Sequence, residues 1–192
     1  MPPKAKFTRE DIINAALTIT MREGFEGLTA RALGAELGSS ARPVFTVFKN
    51  MEEVQAEVEK AARSVYTRLV EEGLKEEIAF KGVGKAYIRF AAEYPKLFQL
   101  LFMREQNSSP HLNSVLGLID ENFDRILESI EKGYGFCKET SKEIYLHLWI
   151  YSHGIAVLIA TKVCSFSAEE ISGMLTDVFI SIIKKYKSEG RT

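Results

Sequence analysis

Ser40, Arg42, Thr46 and Lys49 lie within one short stretch and, read at helical spacing, point to one side. Together they offer hydroxyl, guanidinium and ammonium donors, the groups that hold base edges and phosphates. Val44, Phe45 and Phe48 recur on the other side and are expected in the core. The segment from Ala41 to Phe48 therefore reads as a short helix. Ser40 is its natural N-cap, and Pro43 is tolerated in a first turn whose N–H groups have no intrahelical acceptor.

The elements that must position these donors are legible on either side. Thr29 can cap a helix start, Leu33 and Leu37 give that helix an apolar face, and Ala30, Ala32, Gly34 and Ala35 leave room for a second helix to cross closely. Gly38 stands where the helix must stop, at a position that favours positive φ. Upstream, Thr8 with Asp11 approximates a capping box for a helix of about four turns carrying Ile12, Ile13, Ala16 and Leu17, ended by Gly24. Downstream, Asn50 with Glu53 caps another helix. Two short helices joined by a tight turn between capped neighbours form a bacterial type of helix-turn-helix, whose second helix enters the major groove of DNA.

The order Ile-Ile-x-Ala-Ala-Leu, Gly-Phe-Glu-Gly-Leu-Thr-Ala-Arg, Leu-Gly, Gly-Ser-Ser-x-x-Pro-Val-Phe-x-x-Phe-Lys-Asn-x-Glu-Glu-Val, from Ile12 to Val54, resembles the DNA-binding domain of the tetracycline-repressor (TetR) family. The resemblance implies that Thr29 and Arg31 sit near phosphates at the start of the second helix. It also implies that Ser40, Arg42, Pro43, Phe45, Thr46 and Lys49 lie on or beside the recognition helix. The family commonly has Tyr where this chain has Phe45, His where it has Val47 and Lys where it has Met51. Three phosphate donors are thereby missing, and the grip is expected to lean on Arg31, Lys49, Thr29 and the arm residues Lys4 and Lys6.

A chain of 192 residues exceeds what such a head needs. Domains are expected at 1–50, the helix-turn-helix, and at 51–192, a helical ligand-binding and dimerisation domain. The net charge of -1 conceals an asymmetry, because basic residues outnumber acidic ones up to Asn50 and Glu52, Glu53, Glu57 and Glu59 then reverse the balance. So small an excess implies modest non-specific DNA affinity and a shallow salt slope. Cys137 and Cys164 form neither a zinc site nor a disulfide framework, which fits a reducing, cytoplasmic setting. The N-terminal segment has no apolar run of signal-peptide length. Ile144 to Thr161 is the one candidate membrane span, but His147, Ser152, His153 and Gly154 interrupt it, as suits a buried helix.

Enzymatic motifs are missing. There is no G-x-S-x-G elbow, no dinucleotide loop and no H-E-x-x-H. Gly82-Val83-Gly84-Lys85-Ala86 fails as a phosphate loop, since Ala79 stands where its first glycine belongs and Ala86 replaces the metal-binding hydroxyl. Neither enzymatic activity nor a cofactor or metal is expected.

The remainder reads as helices throughout, about nine in the whole chain: Asn50 to about Glu72, Val83 to Glu93, Pro95 to about Met103, and a long one capped by Ser109 and started by Pro110 that carries residues as far as Ile130. Thr140 with Glu143 and Ser167 with Glu170 make capping boxes for the last two. Both of these are apolar over more than one face, and a second copy of the pair would cover the surplus in a four-helix interface at Leu158, Ile171, Leu175, Val178, Phe179 and Ile182.

Tyr94-Pro95, Phe98 and the run Trp149-x-x-x-His153-Gly154 resemble the ligand-binding domain variant of the family named after its Trp-His-Gly signature. Trp149 and His153 share a helical face, so ring and imidazole can meet. His153 has two open roles, hydrogen bonding inside the core and ligand recognition. The resemblance further implies a pocket for a small hydrophobic or aromatic inducer, expected among Tyr87, Phe90, Phe98, Phe102, Phe123, Trp149 and His153. Two functions are compatible with these features. One is a DNA-binding transcriptional regulator, a homodimeric repressor on a palindromic operator, released by a small hydrophobic ligand. The other is a helical dimeric ligand carrier or protein-interaction module that has lost tight DNA binding.

Overall fold

Helices form where side chains can cap them. In the computed structural model, which describes residues 6–105 and 111–191, Thr8 Oγ1 accepts from the Asp11 N–H at 3.1 Å and Asp11 Oδ2 accepts from the Thr8 N–H at 2.8 Å, opening α1 (Arg9–Glu23). Thr29 caps α2 (Ala30–Glu36) by accepting from the Ala32 N–H. Ahead of α3 (Met51–Gly73) Asn50 Oδ1 accepts from the Glu53 N–H at 3.0 Å, and Glu53 Oε2 accepts from the Lys49 N–H at 2.8 Å. There follow α4 (Ala79–Glu93), α5 (Pro95–Phe102), α6 (Leu112–Ile119), α7 (Phe123–Tyr134), α8 (Lys138–Ala160) and α9 (Ala168–Ser188), the last opened by the Ser167–Glu170 box. The fold is all-α, with no strand among the described residues.

The chain divides into two units. The first, Met1–Val65 with Tyr94–Arg104, holds α1, α2, the start of α3 and α5. Its core consists of Ile12, Ala16, Ile19, Leu33, Val44, Val54, Val58, Leu97 and Phe98, all fully buried. Each of these side chains larger than alanine stabilises the fold by roughly 1.5–3 kcal/mol. The second, Tyr66–Glu93 with Glu105–Thr192, holds the end of α3, α4 and α6 to α9. The boundary therefore differs from the one expected at residue 50. Helix α3 runs from one unit into the other, and α5 packs on α1 within the first unit.

Three expected helices take another form. The segment from Ala41 to Phe48 is no α-helix: successive i→i+3 bonds from Val44 N to Ala41 O (3.1 Å), Phe45 N to Arg42 O (3.2 Å) and Thr46 N to Pro43 O (3.2 Å) wind it into a 3₁₀ turn over Val44–Thr46. So few residues separate Gly38 from the Asn50 cap that the tighter winding suffices. No side chain caps the turn, so the expected role of Ser40 is not realised.

The long helix expected to end near Ile130 is broken between α6 and α7 by Asp120. Its Oδ1 accepts from the Asn122 N–H at 2.8 Å and its Oδ2 from the Tyr66 hydroxyl at 2.7 Å, a local side-chain bond that competes with the helical one. The Ser109–Pro110 start lies outside the described residues. At α8 the N-cap is Cys137, not Thr140, whose hydroxyl is buried in the first turn 3.3 Å from Cys137 Sγ. Helix α8 is long and apolar enough to cross a membrane, but it packs against α4, α7 and α9.

Candidate functional site

The first unit builds a donor surface on a constrained turn. Gly38 has φ +61°, and the Ser39 N–H returns to Gly34 O at 2.8 Å, closing α2 as the sequence requires. A Cβ on Gly34 would lie 2.7 Å from the Ala41 nitrogen and 2.8 Å from the Ser40 carbonyl carbon, so only glycine lets the turn lie against α2. From this backbone Val44 and Phe48 point inward, with 0% and 2% of their surface exposed. Phe45, expected beside them, is 43% exposed. In the 3₁₀ turn it shares the outer surface with Arg42, Thr46 and Lys49.

Charge pairing then sorts the basic residues. Arg9 pairs with Glu53 at 3.0 Å and Glu57 at 3.5 Å, and Arg22 with Glu23 and Glu36 at 2.9 and 3.0 Å. Arg31, Arg42 and Lys49 are exposed and, among the described residues, make no ion pair. Ser40 is likewise exposed, and Pro43 is half-buried. Two hydroxyls are already engaged: Thr46 Oγ1 donates to Pro43 O at 2.6 Å, and Thr29 Oγ1 accepts the α2 cap bond. The Lys6 ammonium donates to Ser39 Oγ at 3.1 Å, which ties the start of the described chain to the turn. Lys4 lies outside the described residues.

The second unit encloses a cavity of about 290 Å³ among α3, α4, α7, α8 and α9. Seven aromatic rings line it: Tyr66, Phe80, Tyr87, Tyr134, Tyr145, Trp149 and Phe179. Val83, Gly84, Leu148, Ser152, Leu175 and Thr176 fill the wall between the rings, and the exposed Ile78 and Ile180 lie with Lys81 at its edge. The rings brace one another, Phe80 packing edge-on to Tyr145 at 5.9 Å and tilted against Phe179 at 5.8 Å.

Of the residues expected at the ligand site, Tyr87 and Trp149 line this cavity and the other five do not. His153 stands behind the wall, its Nδ1 sharing a hydrogen bond of 2.8 Å with the Tyr87 hydroxyl and its ring stacked on Trp149 at 5.4 Å. Phe90 is fully buried against Tyr66, and Phe123 stacks on Tyr145. Phe98 and Phe102 belong to the first unit, where Pro95 directs α5 onto α1. The residues that sequence reading missed, Tyr66, Phe80, Tyr134 and Tyr145, sit on four segments. A signal existed for two of them: Phe80, Gly84 and Tyr87 share one face of α4, and Tyr145, Leu148, Trp149 and Ser152 share one face of α8.

Burial dominates the electrostatics here. It pushes the Tyr66, Tyr87 and Tyr145 hydroxyls above their ordinary range and holds His153 below its own. Asp120 behind Tyr66 is raised for the same reason, partly offset by its bonds from Tyr66 and Asn122. The buried Trp149 Nε1–H interacts with the Tyr87 hydroxyl and partly offsets the effect of burial on it.

The residues expected at a dimer interface separate into two groups. Leu175 is buried with Ile88 and Ile155, and Phe179 lies 4.8 Å from Tyr134. Both face their own unit, because α9 presents that edge to α4 and to the cavity. Leu158 is 38% exposed, with Ile150 at 48% one turn-pair earlier on the same face of α8, and Ile171, Val178 and Ile182 are half-buried.

An all-α chain with a helix-turn-helix unit and a second helical unit that encloses an apolar cavity has the form of a ligand-responsive transcriptional regulator. Residues 80–181 match the family model of the tetracyclin repressor-like C-terminal domain, and the chain belongs to the TetR family. The match is to that domain and not specifically to the Trp-His-Gly variant. No curated protein sequence matches the chain. Among solved structures, a TetR variant from Acinetobacter baumannii AYE in complex with minocycline superposes with a TM-score of 0.60 at 16% identity, over 97% of this chain and 99% of that one. At that identity the likeness is one of fold.

Proposed function

We propose that the protein is a transcriptional repressor that binds a palindromic operator as a homodimer and is released by a small hydrophobic ligand. The observation that carries the reading is the contrast between neutralised and free cations on the first unit. Arg9 and Arg22 are paired, whereas Arg31, Arg42 and Lys49 surround the glycine-fixed turn without ion pairs among the described residues. Arg42 would read a base edge, most simply guanine, and Arg31 and Lys49 would hold phosphate. Lys6, Thr29, Ser40, Pro43, Phe45 and Thr46 complete the surface. Phe45 offers a thymine methyl an apolar contact in place of a hydroxyl donor.

The dimer would form through the outer faces of α8 and α9, where Ile150, Leu158 and Ile180 are exposed. The cavity would hold the ligand, and α3 supports the coupling, since it carries Tyr66 on the cavity wall and begins in the first unit. A ligand favouring one population of dimers weakens DNA binding by the factor by which DNA weakens its own binding.

The test is a gel-shift titration with DNA flanking the chain's own coding region, at two salt concentrations. A retarded complex that weakens with salt supports the reading. Folded protein that retards no fragment at either salt would overturn it in favour of a helical dimeric ligand carrier or interaction module.

A further inference from the structure

The cavity wall carries more chemical information than its apolar character. Among the described residues, Lys81 is the only one with a formal charge that lines it, and it is half-buried there and makes no ion pair. Lys85, one turn further along α4, is neutralised by Glu76 at 3.0 Å and does not line the cavity. A lysine held beside an aromatic chamber without a carboxylate partner leaves its charge for something that enters. A polar group also lies in the same wall, the buried Trp149 Nε1–H, which interacts with the Tyr87 hydroxyl.

Asp120 is bonded to Tyr66, one of the rings that line the cavity. Its carboxylate stays outside the wall, engaged by the Tyr66 hydroxyl at 2.7 Å and the Asn122 N–H at 2.8 Å. That negative charge behind Tyr66 opposes a second anionic group at the far end of a ligand. Size sets the remaining limit: about 290 Å³ lies at the small end of ligand pockets, enough for roughly two aromatic rings.

We propose that the cavity takes an aromatic monocarboxylate of about two rings, its carboxylate at Lys81 and its rings among the aromatic walls. This assignment rests on the reading of the cavity as the effector site. The probes are biphenyl-4-carboxylate and its neutral isostere biphenyl-4-carboxamide, titrated into the full-length protein by calorimetry. Quenching of Trp149, the only tryptophan in the chain, reports entry into the cavity.

The acid is expected to bind about tenfold more tightly than the amide, the difference between a charge-assisted hydrogen bond and a neutral one. Lys81→Met should abolish that preference while the amide affinity stays, Lys81→Arg should restore it, and Lys85→Met should leave it unchanged. Trp149→Phe should weaken both probes. Equal affinities for acid and amide, or a preference that survives Lys81→Met, would overturn the anionic class while leaving the cavity as a site. Absence of both heat and quenching with either probe would remove the site together with the class.

Discussion

The two units are made of the same kind of helix and differ in where they place their conspicuous residues. In the first, the core is filled by fully buried aliphatic side chains such as Ile12, Ile19, Leu33 and Val58, and the distinctive groups, Arg31, Arg42, Phe45 and Lys49, are outside. In the second, the distinctive groups are seven rings turned inward around a space that none of the described residues fills. Packed interiors leave few voids larger than a water molecule, so a chamber of about 290 Å³ is a departure that large aromatic side chains, too rigid to collapse into it, can hold open. One unit works by what it exposes and the other by what it leaves unfilled.

The largest effect should come from breaking the outer face of the second unit, since it is this face that would bring two heads to one operator. Ile150, Gly154 and Leu158 follow one another at i, i+4, i+8 on α8 and are all exposed, the glycine leaving room for a close crossing. Ile150→Glu with Leu158→Glu would place charges in the contact without disturbing either core. Operator affinity should fall by about 10²–10⁴-fold, because the second half-site is no longer bound in tandem. Sedimentation should show monomers where the unaltered chain sediments as a dimer. A monomeric unaltered chain at micromolar concentration would contradict the proposed assembly.

A smaller effect separates the roles within the exposed head. Arg42→Ala should cost roughly 1–3 kcal/mol of discrimination and relax sequence preference, while Lys49→Ala should weaken all sequences alike and reduce the salt slope by about one. Binding measured on operator and scrambled DNA at several salt concentrations distinguishes the two. Equal loss of specificity from both changes would refute the division.

The head was readable because its determinants are local: Thr8 with Asp11, Thr29, Gly38, and Asn50 with Glu53 act within a few residues of their own positions. The one local misjudgement, the Ala41–Phe48 winding, changed which way Phe45 points and nothing else in the core. The second unit was readable in its helices and less so in its chamber. Asp120 breaks a continuous apolar pattern through a bond to Tyr66, a residue 54 positions away, and no periodicity announces such a contact. Phe98 and Phe102 carried the right composition for a ligand site, yet α5 returns to the first unit, so composition placed them in the wrong company. Phe179 and Leu175 were ambiguous in principle, since a wide apolar stripe on α9 serves a neighbouring helix and a second subunit with the same residue types.

The smallest effect concerns the support behind the cavity. Burial holds the His153 imidazole below its ordinary value of 6.5, and Nδ1 shares the 2.8 Å bond with Tyr87. The unfolded chain, with an ordinary histidine, therefore takes up a proton at higher pH than the folded one. Above about pH 6.5 both forms are neutral and the residue adds no pH dependence; as pH falls from there through the lower folded value, stability is lost. Asp120, raised by burial, acts with the opposite sign, and Glu53 and Glu143, held low by their partners, act with the same sign as His153 but in the more acidic carboxylate range. A window from about pH 7.5 to about pH 5.5 lies above the range of the two lowered glutamates, and Asp120 contributes alike to both proteins compared, so the difference between them reports the histidine. His153→Gln, which keeps a hydrogen-bonding group toward Tyr87 and cannot titrate, should lose less melting temperature across that window than the unaltered protein. Parallel melting curves for the two proteins would show that His153 is solvated as freely in the folded state as in the unfolded one, and would detach it from the wall that Trp149 and Tyr87 present to the cavity.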